Sequence, residues 1–256
     1  MKRISLYVAF TFAFSWLFLL LKYLGQVAII PEFFVPIGSL FILGPLFGVV
    51  MIFVIEKKNV WQEIKKMFRK DTPKWVYWFV CTSPFILSFI AYIAYILISG
   101  EAFALGMSIQ MTVPIALIIF VTGGPVEEFG WRGMLLPDLR KRYSFLLTAL
   151  ILGLIHGLWH LPLHYIDGTV QQAMPIWQFM TMTVLITVSY VFVFEFTKNL
   201  LPMILLHWLA NFSSAMFIYW QANSGRYAIF AVTLLLDIGL IVIYYKRRKN
   251  AALNAA

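Results

Sequence analysis

Cysteine and charged residues are scarce in this sequence. Among its 256 residues there is one cysteine, Cys81, so the chain can form no internal disulfide and no metal site with two cysteine ligands. Charged residues make up only 12% of the chain, whereas hydrophobic residues make up 62%. Together with a mean hydropathy of +0.85, these values lie outside the range of a soluble globular protein. The composition predicts a polytopic membrane protein.

The formal net charge of +9 does not indicate a nucleic-acid-binding protein. Its basic residues cluster at the ends of apolar runs, which is the positive-inside bias of membrane proteins rather than a binding patch. We therefore expect membrane lipids around the chain and no nucleic-acid partner.

Eight apolar runs are long enough to be membrane-spanning helices. They cover about residues 4–21, 34–55, 75–98, 111–136, 145–162, 176–196, 200–220 and 227–245. The first run lacks the short core and small-residue cleavage site of a signal peptide, so we expect it to be retained. Without an internal repeat or a low-complexity linker, the pattern predicts a single integral membrane domain over residues 1–256. Its fold is predicted to be an all-α bundle of about eight transmembrane helices.

The basic residues also predict the orientation of this bundle. All lysines and arginines except Lys22, Arg132 and Arg226 lie in termini and loops on one side of it. The densest group lies in the loop 56–74: Lys57, Lys58, Lys65, Lys66, Arg69, Lys70 and Lys74. Apolar residues at helical spacing in this loop predict an amphipathic helix on the bilayer surface. We expect the basic side, with both termini, to be cytoplasmic.

The fourth run, about 111–136, contains an interruption followed by two acids. Gly123-Gly124-Pro125 precedes Glu127 and Glu128. Proline suits the first turn of a helix, so one helix is predicted to end here and another to begin near Pro125. Both glutamates then lie in the first turn, near the positive end of the helix dipole. Charges at membrane depth are costly and usually mark a functional site, so we predict that this span carries one.

The two glutamates are predicted to differ in role. Glu128 and Arg132 are four residues apart and share a helix face, so they can form an ion pair. Glu127 lies about 100° further round the helix and is poorly placed for that pair. A purely structural ion pair is the alternative, but two carboxylates and one arginine leave an excess acid. Glu127 is therefore the candidate for chemistry.

Two other spans carry polar groups at membrane depth. His160 lies in the fifth run, and His207 and Asn211 project from one face of the seventh. A carboxylate and an imidazole can hold and deprotonate a water, and a second imidazole with a carboxamide can stabilise an oxyanion. No serine or cysteine stands beside a histidine in these segments, which disfavours a covalent nucleophile. Hydrogen bonding between helices is the alternative to this predicted peptide hydrolysis.

These segments resemble the three motifs of the CPBP family, which contains CAAX proteases and bacteriocin-processing enzymes and is also called the Abi family. The motifs read Glu127-Glu128-x-x-x-Arg132, Gly-Leu-Trp-His-Leu-Pro around His160, and His207-x-x-x-Asn211, within about residues 113–212. The resemblance, which includes the type II CAAX prenyl endopeptidases, implies an eight-helix bundle with a water-filled active-site cavity. It also implies an intramembrane endopeptidase in which Glu127 and His160 activate the attacking water. The oxyanion-stabilising residues are then His207 and Asn211.

One position departs from the family pattern. His156 stands where the second motif usually has phenylalanine, four residues before His160 and eight before His164. It either adds a polar or metal-binding group to the cavity or fills the packing position of the phenylalanine. We expect a supporting role for His156 and a metal-independent site without a cofactor. A zinc ion, if present, is expected to use the ligands Glu127, His160 and His207.

Two functions of other classes also fit the sequence. An immunity or regulatory membrane scaffold of the same fold acts by binding alone. A proton-coupled transporter would use Glu127 and His160 as a proton relay. It is disfavoured because many transporters have internal repeats and this sequence shows none. The short loops and small size are typical of prokaryotic proteins, so we expect a peptide or membrane-protein substrate at a prokaryotic cell membrane. Asp237 is interpreted as a residue packed inside its span, and Glu195 as a residue near the membrane interface.

Overall fold

The structure is a computed structural model that describes residues 2–69, 71–122 and 124–254. Its helices are α1 (Lys2–Gln26), α2 (Gly44–Ile55), α3 (Val60–Lys66), α4 (Lys74–Ser99), α5 (Thr112–Thr122), α6 (Pro125–Gly130), α7 (Leu136–Arg140), α8 (Phe145–Trp159), α9 (Ile176–Thr197), α10 (Leu200–Met216) and α11 (Asn223–Leu253). A helical turn, Phe34–Ile37, and a 3-10 helix, Gly38–Leu43, precede α2, and a π-helical segment, Trp131–Leu135, joins α6 to α7. These residues contain no β-strand.

Among the described residues, seven helical segments are long and apolar enough to cross a membrane, which confirms the all-α polytopic class. They are Lys2–Gln26, Phe34–Ile55, Lys74–Ser99, Ile109–Arg140, Phe145–Tyr165, Ile176–Thr197 and Asn223–Leu253. The remaining predicted span is the shorter apolar helix α10, with 17 residues. It is about 25 Å long at 1.5 Å per residue. It ends at Met216, four residues before the predicted end, because the chain becomes extended at Phe217.

The basic segment 56–74 forms a shorter helix than its pattern predicts. The helix α3 has only seven residues, and Lys70 lies outside the described part of the chain. Trp61 is 64% exposed, and the Lys65 ammonium lies 5.0 Å from the centre of its ring. After α3 the chain turns inward, where the carbonyl of Met67 accepts a hydrogen bond from the N–H of Leu200 (2.8 Å). Contact of this segment with the bilayer surface stays a prediction.

Asn199 fixes the junction between this basic segment and α10. Its side-chain oxygen accepts the N–H of Leu201 (3.1 Å), which satisfies one of the free donors at the start of the helix. Its side-chain amide donates to the carbonyl of Arg69 (2.8 Å) and to the hydroxyl of Thr72 (2.7 Å). One residue therefore caps α10 and holds the loop between α3 and α4 against it.

The helix α6 lies at the centre of the bundle. It packs against both α2 and α10, while α8 packs along α9. Trp131, Trp159 and Tyr190 are buried in the surrounding apolar core. From residue 127 to the end of α7 the chain runs about 20 Å towards one end of the bundle, at 1.5 Å per residue. From the start of α8 to residue 160 it runs back about 22 Å. These similar lengths bring the glutamates and His160 to a similar depth.

Candidate active site

The predicted interruption of the fourth span is present in the structure. The helix α5 ends at Thr122 and α6 begins at Pro125, with Gly123 outside the described residues. Gly124 adopts a φ of +36°, and its carbonyl accepts the N–H groups of Glu127 (3.0 Å) and Glu128 (3.2 Å). A Cβ on Gly124 would lie 2.4 Å from Cγ of His207. The glycine therefore permits the turn and leaves room for the imidazole.

Glu128 is the centre of a buried ion-pair network. Its Oε1 accepts a hydrogen bond from Nη1 of Arg132 (2.8 Å), and both side chains are fully buried. The same Oε1 lies 2.7 Å from Nδ1 of His207 on α10. The guanidinium carbon of Arg132 lies 3.8 Å from the centre of the Tyr190 ring. The structure contains the predicted pair and adds His207 to it, so this network connects α6 to α10.

Glu127 belongs to a second group, formed with residues of α8. Its Oε2 lies 3.2 Å from Nε2 of His156 on α8, and both residues are buried. Nδ1 of His160 lies 3.1 Å from the backbone carbonyl of His156. A carbonyl only accepts, so Nδ1 of His160 donates and its Nε2 keeps a free lone pair in the neutral ring. One ligand atom each of Glu127, His156 and His160 lie within 4.8 Å of one another.

His156 packs between the rings of two other site residues. Its ring lies 4.9 Å from that of His160 and 5.3 Å from that of Trp131, measured between centroids. Its Nδ1 is buried and has no hydrogen-bond partner among the described residues. His156 packs against the Trp131 and His160 rings, and it also contacts the carboxylate of Glu127. The two interpretations offered for it are therefore compatible.

His207 and Asn211 lie one turn apart on α10, as their spacing predicts. Nδ1 of His207 faces Glu128, so Nε2 is the ring nitrogen available to contact a substrate. The carboxamide of Asn211 makes no hydrogen bond within the described part of the chain. An oxyanion-stabilising role for these two residues stays a prediction.

Three other candidate residues lie outside this group. His164 is held by the carbonyl of Met174, 3.1 Å from its Nδ1. Asp237 on α11 is buried, and neither of its carboxylate oxygens has a hydrogen-bond partner in the described ranges. Glu195 pairs with Arg140 (2.7 Å) at the basic end of the bundle.

The set of possible metal ligands differs from the one expected. Sequence spacing suggested Glu127, His160 and His207, whereas the group that the described residues form contains His156 in place of His207. The His160 ring centroid lies 4.9 Å from that of His156, whereas the His207 centroid lies 6.3 Å from it, and Nδ1 of His207 contacts Glu128. Two imidazoles and one carboxylate can hold a water or a metal ion.

Comparisons with known proteins agree with the resemblance. Residues 108–213 match the model of the Rce1-like type II CAAX prenyl endopeptidases. A 74-residue segment is 31% identical to "CAAX prenyl protease 2" of Methanococcus maripaludis, over 29% of this chain and 27% of the relative. The alignment thus spans about a quarter of that relative's length. Both comparisons support the predicted resemblance to the CPBP, or CAAX protease, family over residues 108–213.

Proposed function

We propose that this chain, which carries a CAAX protease family segment, is a membrane endopeptidase that hydrolyses a peptide bond with a water activated at Glu127. One observation carries the proposal: the two adjacent buried glutamates are divided between different networks. Glu128 is occupied by Arg132 and His207, whereas Glu127 faces the imidazoles of His156 and His160. We therefore assign Glu127 as the carboxylate that accepts the proton.

In this proposal the water lies between Glu127 and His160. It donates one hydrogen bond to the Glu127 carboxylate and one to Nε2 of His160, the nitrogen left free by the backbone contact. As its oxygen attacks the peptide carbonyl carbon, its proton passes to Glu127, and Glu127 then delivers that proton to the leaving amine. His156 orients the carboxylate from 3.2 Å.

The developing oxyanion is assigned to α10. A protonated His207 ring donates from Nε2 while its Nδ1 donates to Glu128, and the free Asn211 carboxamide supplies a second donor. Such donors stabilise the negative charge of a tetrahedral intermediate. The Glu128–Arg132 pair acts here as a support that holds the imidazole from 2.7 Å.

We propose a peptide or a membrane protein as the substrate. The glutamates lie on the membrane-length segment Ile109–Arg140, so the scissile bond has to reach membrane depth. The name of the relative, "CAAX prenyl protease 2", makes a prenylated C-terminal peptide the second substrate class to test.

A cleavage assay with purified protein in lipid nanodiscs tests the proposal. The probes are a quenched-fluorescent peptide library, membrane-anchored peptides and a farnesylated CAAX peptide, with Glu127→Gln as the inactive variant. Glu32→Gln is the matched control because Glu32 is exposed and remote from the site. We expect cleavage by the native protein and by the control only. Peptide binding without cleavage contradicts the proposal and favours an immunity or regulatory scaffold. Equal cleavage by Glu127→Gln contradicts the role assigned to Glu127.

A further inference from the structure

We infer that the basic end of this chain binds a phosphate group of net negative charge. Its site is a cavity between the segment 56–74, the π-helical segment Trp131–Leu135 and the junction of α9 with α10. The phosphate belongs either to the headgroup of an anionic phospholipid or to a soluble phosphate ester. Binding there goes beyond the proposed function and is measurable without a substrate.

This basic cavity has a volume of about 270 Å³, which leaves room for a small anionic group. The cations in its lining are Arg3, Lys66, Arg69, Arg132, Lys141 and Lys198. The carboxylates in its lining are those of Glu63 and Asp138. This excess of positive charge in a cleft attracts an anion.

Two of these cations lack a carboxylate of their own. The other four form close ion pairs: Arg3, Lys66, Arg132 and Lys141. Arg69 forms no ion pair among the described residues. Lys198 lies 3.5 Å from Glu195, but that carboxylate is already bonded to Arg140 at 2.7 Å. Arg69 and Lys198 are therefore the positive charges available to a ligand.

Asn199 holds the backbones of these two residues next to each other. Its side-chain amide donates to the carbonyl of Arg69 (2.8 Å) and accepts the N–H of Arg69 (3.2 Å). Asn199 directly follows Lys198, whose own N–H donates to the carbonyl of Phe194 (3.0 Å). The fold itself thus places the two available charges on one wall of the basic cavity.

The electrostatics of Lys198 also favour an anion at this place. Burial lowers the pKa of its ammonium, Glu195 raises it, and the nearby Arg140 and Arg69 lower it. A negative charge between Lys198 and Arg69 offsets both the burial and the repulsion. Phosphate oxygens accept several charge-assisted hydrogen bonds at once, and a guanidinium can donate two of them.

The position in the bundle fits a headgroup phosphate. Basic pockets between membrane helices on the cytoplasmic side are typical sites for anionic headgroups. Gly133 lets the basic segment approach the floor of the cavity, because a Cβ there would lie 2.6 Å from Sδ of Met67. A bound phosphate bridges Arg69 of the segment 56–74 and Lys198 before α10. It should therefore raise the melting temperature of the protein.

Ligand titrations of the purified chain in a neutral detergent test this site. The probes are short-chain phosphatidylglycerol, short-chain phosphatidylcholine and inorganic phosphate, all at one ionic strength. Native mass spectrometry counts bound lipid, and the rise in melting temperature reports affinity. We expect saturable binding of phosphatidylglycerol, of inorganic phosphate or of both, and not of phosphatidylcholine. Binding of phosphatidylglycerol alone identifies a lipid as the source, and equal affinity for inorganic phosphate identifies a soluble one.

The double variant Arg69→Gln/Lys198→Gln removes both available charges and should weaken binding by about tenfold or more. The matched control is Arg248→Gln/Lys249→Gln. It removes the same two residue types from exposed positions outside the basic cavity. The control should change the affinity by no more than about twofold, because distant exposed charges are screened.

Arg69→Gln alone covers the case in which the double variant fails to fold, because Asn199 contacts only the backbone of Arg69. No saturable binding of either phosphate probe, equal affinities of the two double variants, or equal binding of phosphatidylcholine overturns the phosphate site. Glu127→Gln should bind the probes as the native chain does, so a failure of the proposed function leaves this result intact.

Discussion

At the scale of single residues, Glu127 and Glu128 are neighbours in the chain but belong to different networks. We predict that Glu127→Gln keeps the fold and loses turnover, because glutamine has the same shape and cannot take a proton from water. Loss of a general base typically costs about 10²- to 10⁴-fold in rate. Turnover per folded molecule and the melting temperature in detergent measure the two effects. A variant that is active, or merely unstable, refutes the assignment of the base.

Glu128→Gln is predicted to act on stability. It removes the negative charge that Arg132 and His207 share, both within 2.8 Å of Oε1, and leaves a guanidinium buried without its charge partner. Breaking a buried ion pair by removing one partner costs about 3–5 kcal/mol. We expect a lower melting temperature and lower expression, as for Arg132→Gln, and partial recovery when both residues are changed to glutamine. An equal melting temperature for Glu128→Gln and the native protein contradicts this reading.

Substitution of Asp237, unlike that of Glu128, is predicted not to lower the melting temperature. Both of its carboxylate oxygens are buried without a hydrogen-bond partner among the described residues, and burying an unpaired charge is costly. Asp237→Asn removes the charge with little change in shape, so we expect an equal or higher melting temperature and unchanged turnover. A large loss of turnover in a well-folded variant shows instead that Asp237 takes part in function.

The contacts within one helix were predictable, whereas those between helices were not. The Glu128–Arg132 pair follows from a spacing of four residues, and the structure contains it. The contact between Glu127 and His156 depends on how α8 is rotated about its axis relative to α6, which no local pattern fixes. The available signal was the His156-x-x-x-His160 spacing together with its departure from the family motif.

At the scale of elements, the turn before α6 is the most demanding feature. We predict that Gly124→Ala lowers both stability and activity, because its Cβ would lie 2.4 Å from the His207 ring and its φ is +36°. Gly168→Ala is the matched control: φ is +78°, but no atom lies within 4 Å of its Cβ. Backbone strain alone costs about 1 kcal/mol, so the control should lose less. Equal melting temperatures and equal activities for both variants contradict the role of Gly124.

Apolar runs located the helices because their length reports the thickness of the bilayer. The second and sixth runs, for example, were placed within one residue of Phe34–Ile55 and Ile176–Thr197. The pattern failed where tertiary contacts decide the outcome. Asn199 fixes the loop after α3 by two hydrogen bonds, and that loop was predicted to be helical.

At the scale of the whole molecule, the termini of several helices meet at one basic end. Arg3 at the start of α1 forms ion pairs with Glu56, which follows α2 (2.7 Å), and with Asp138 on α7. Lys141 also contacts Asp138 (3.0 Å). These contacts place the N-terminus, the start of the basic segment 56–74 and the end of α7 on the same side of the bundle, which the positive-inside rule assigns to the cytoplasm.

Cysteine labelling of intact cells tests this orientation. Cys81 is exposed and is first replaced by serine; single cysteines are then placed at Lys65, Arg248 and Ala173, all exposed positions. Ala173 lies in the loop between α8 and α9, on the side opposite the basic end. We expect a membrane-impermeant maleimide to label position 173 and to miss positions 65 and 248 until the cells are permeabilised. Efficient labelling of position 65 or 248 in intact cells would show that the orientation is the opposite one. The substrate would then approach Glu127 from the opposite side.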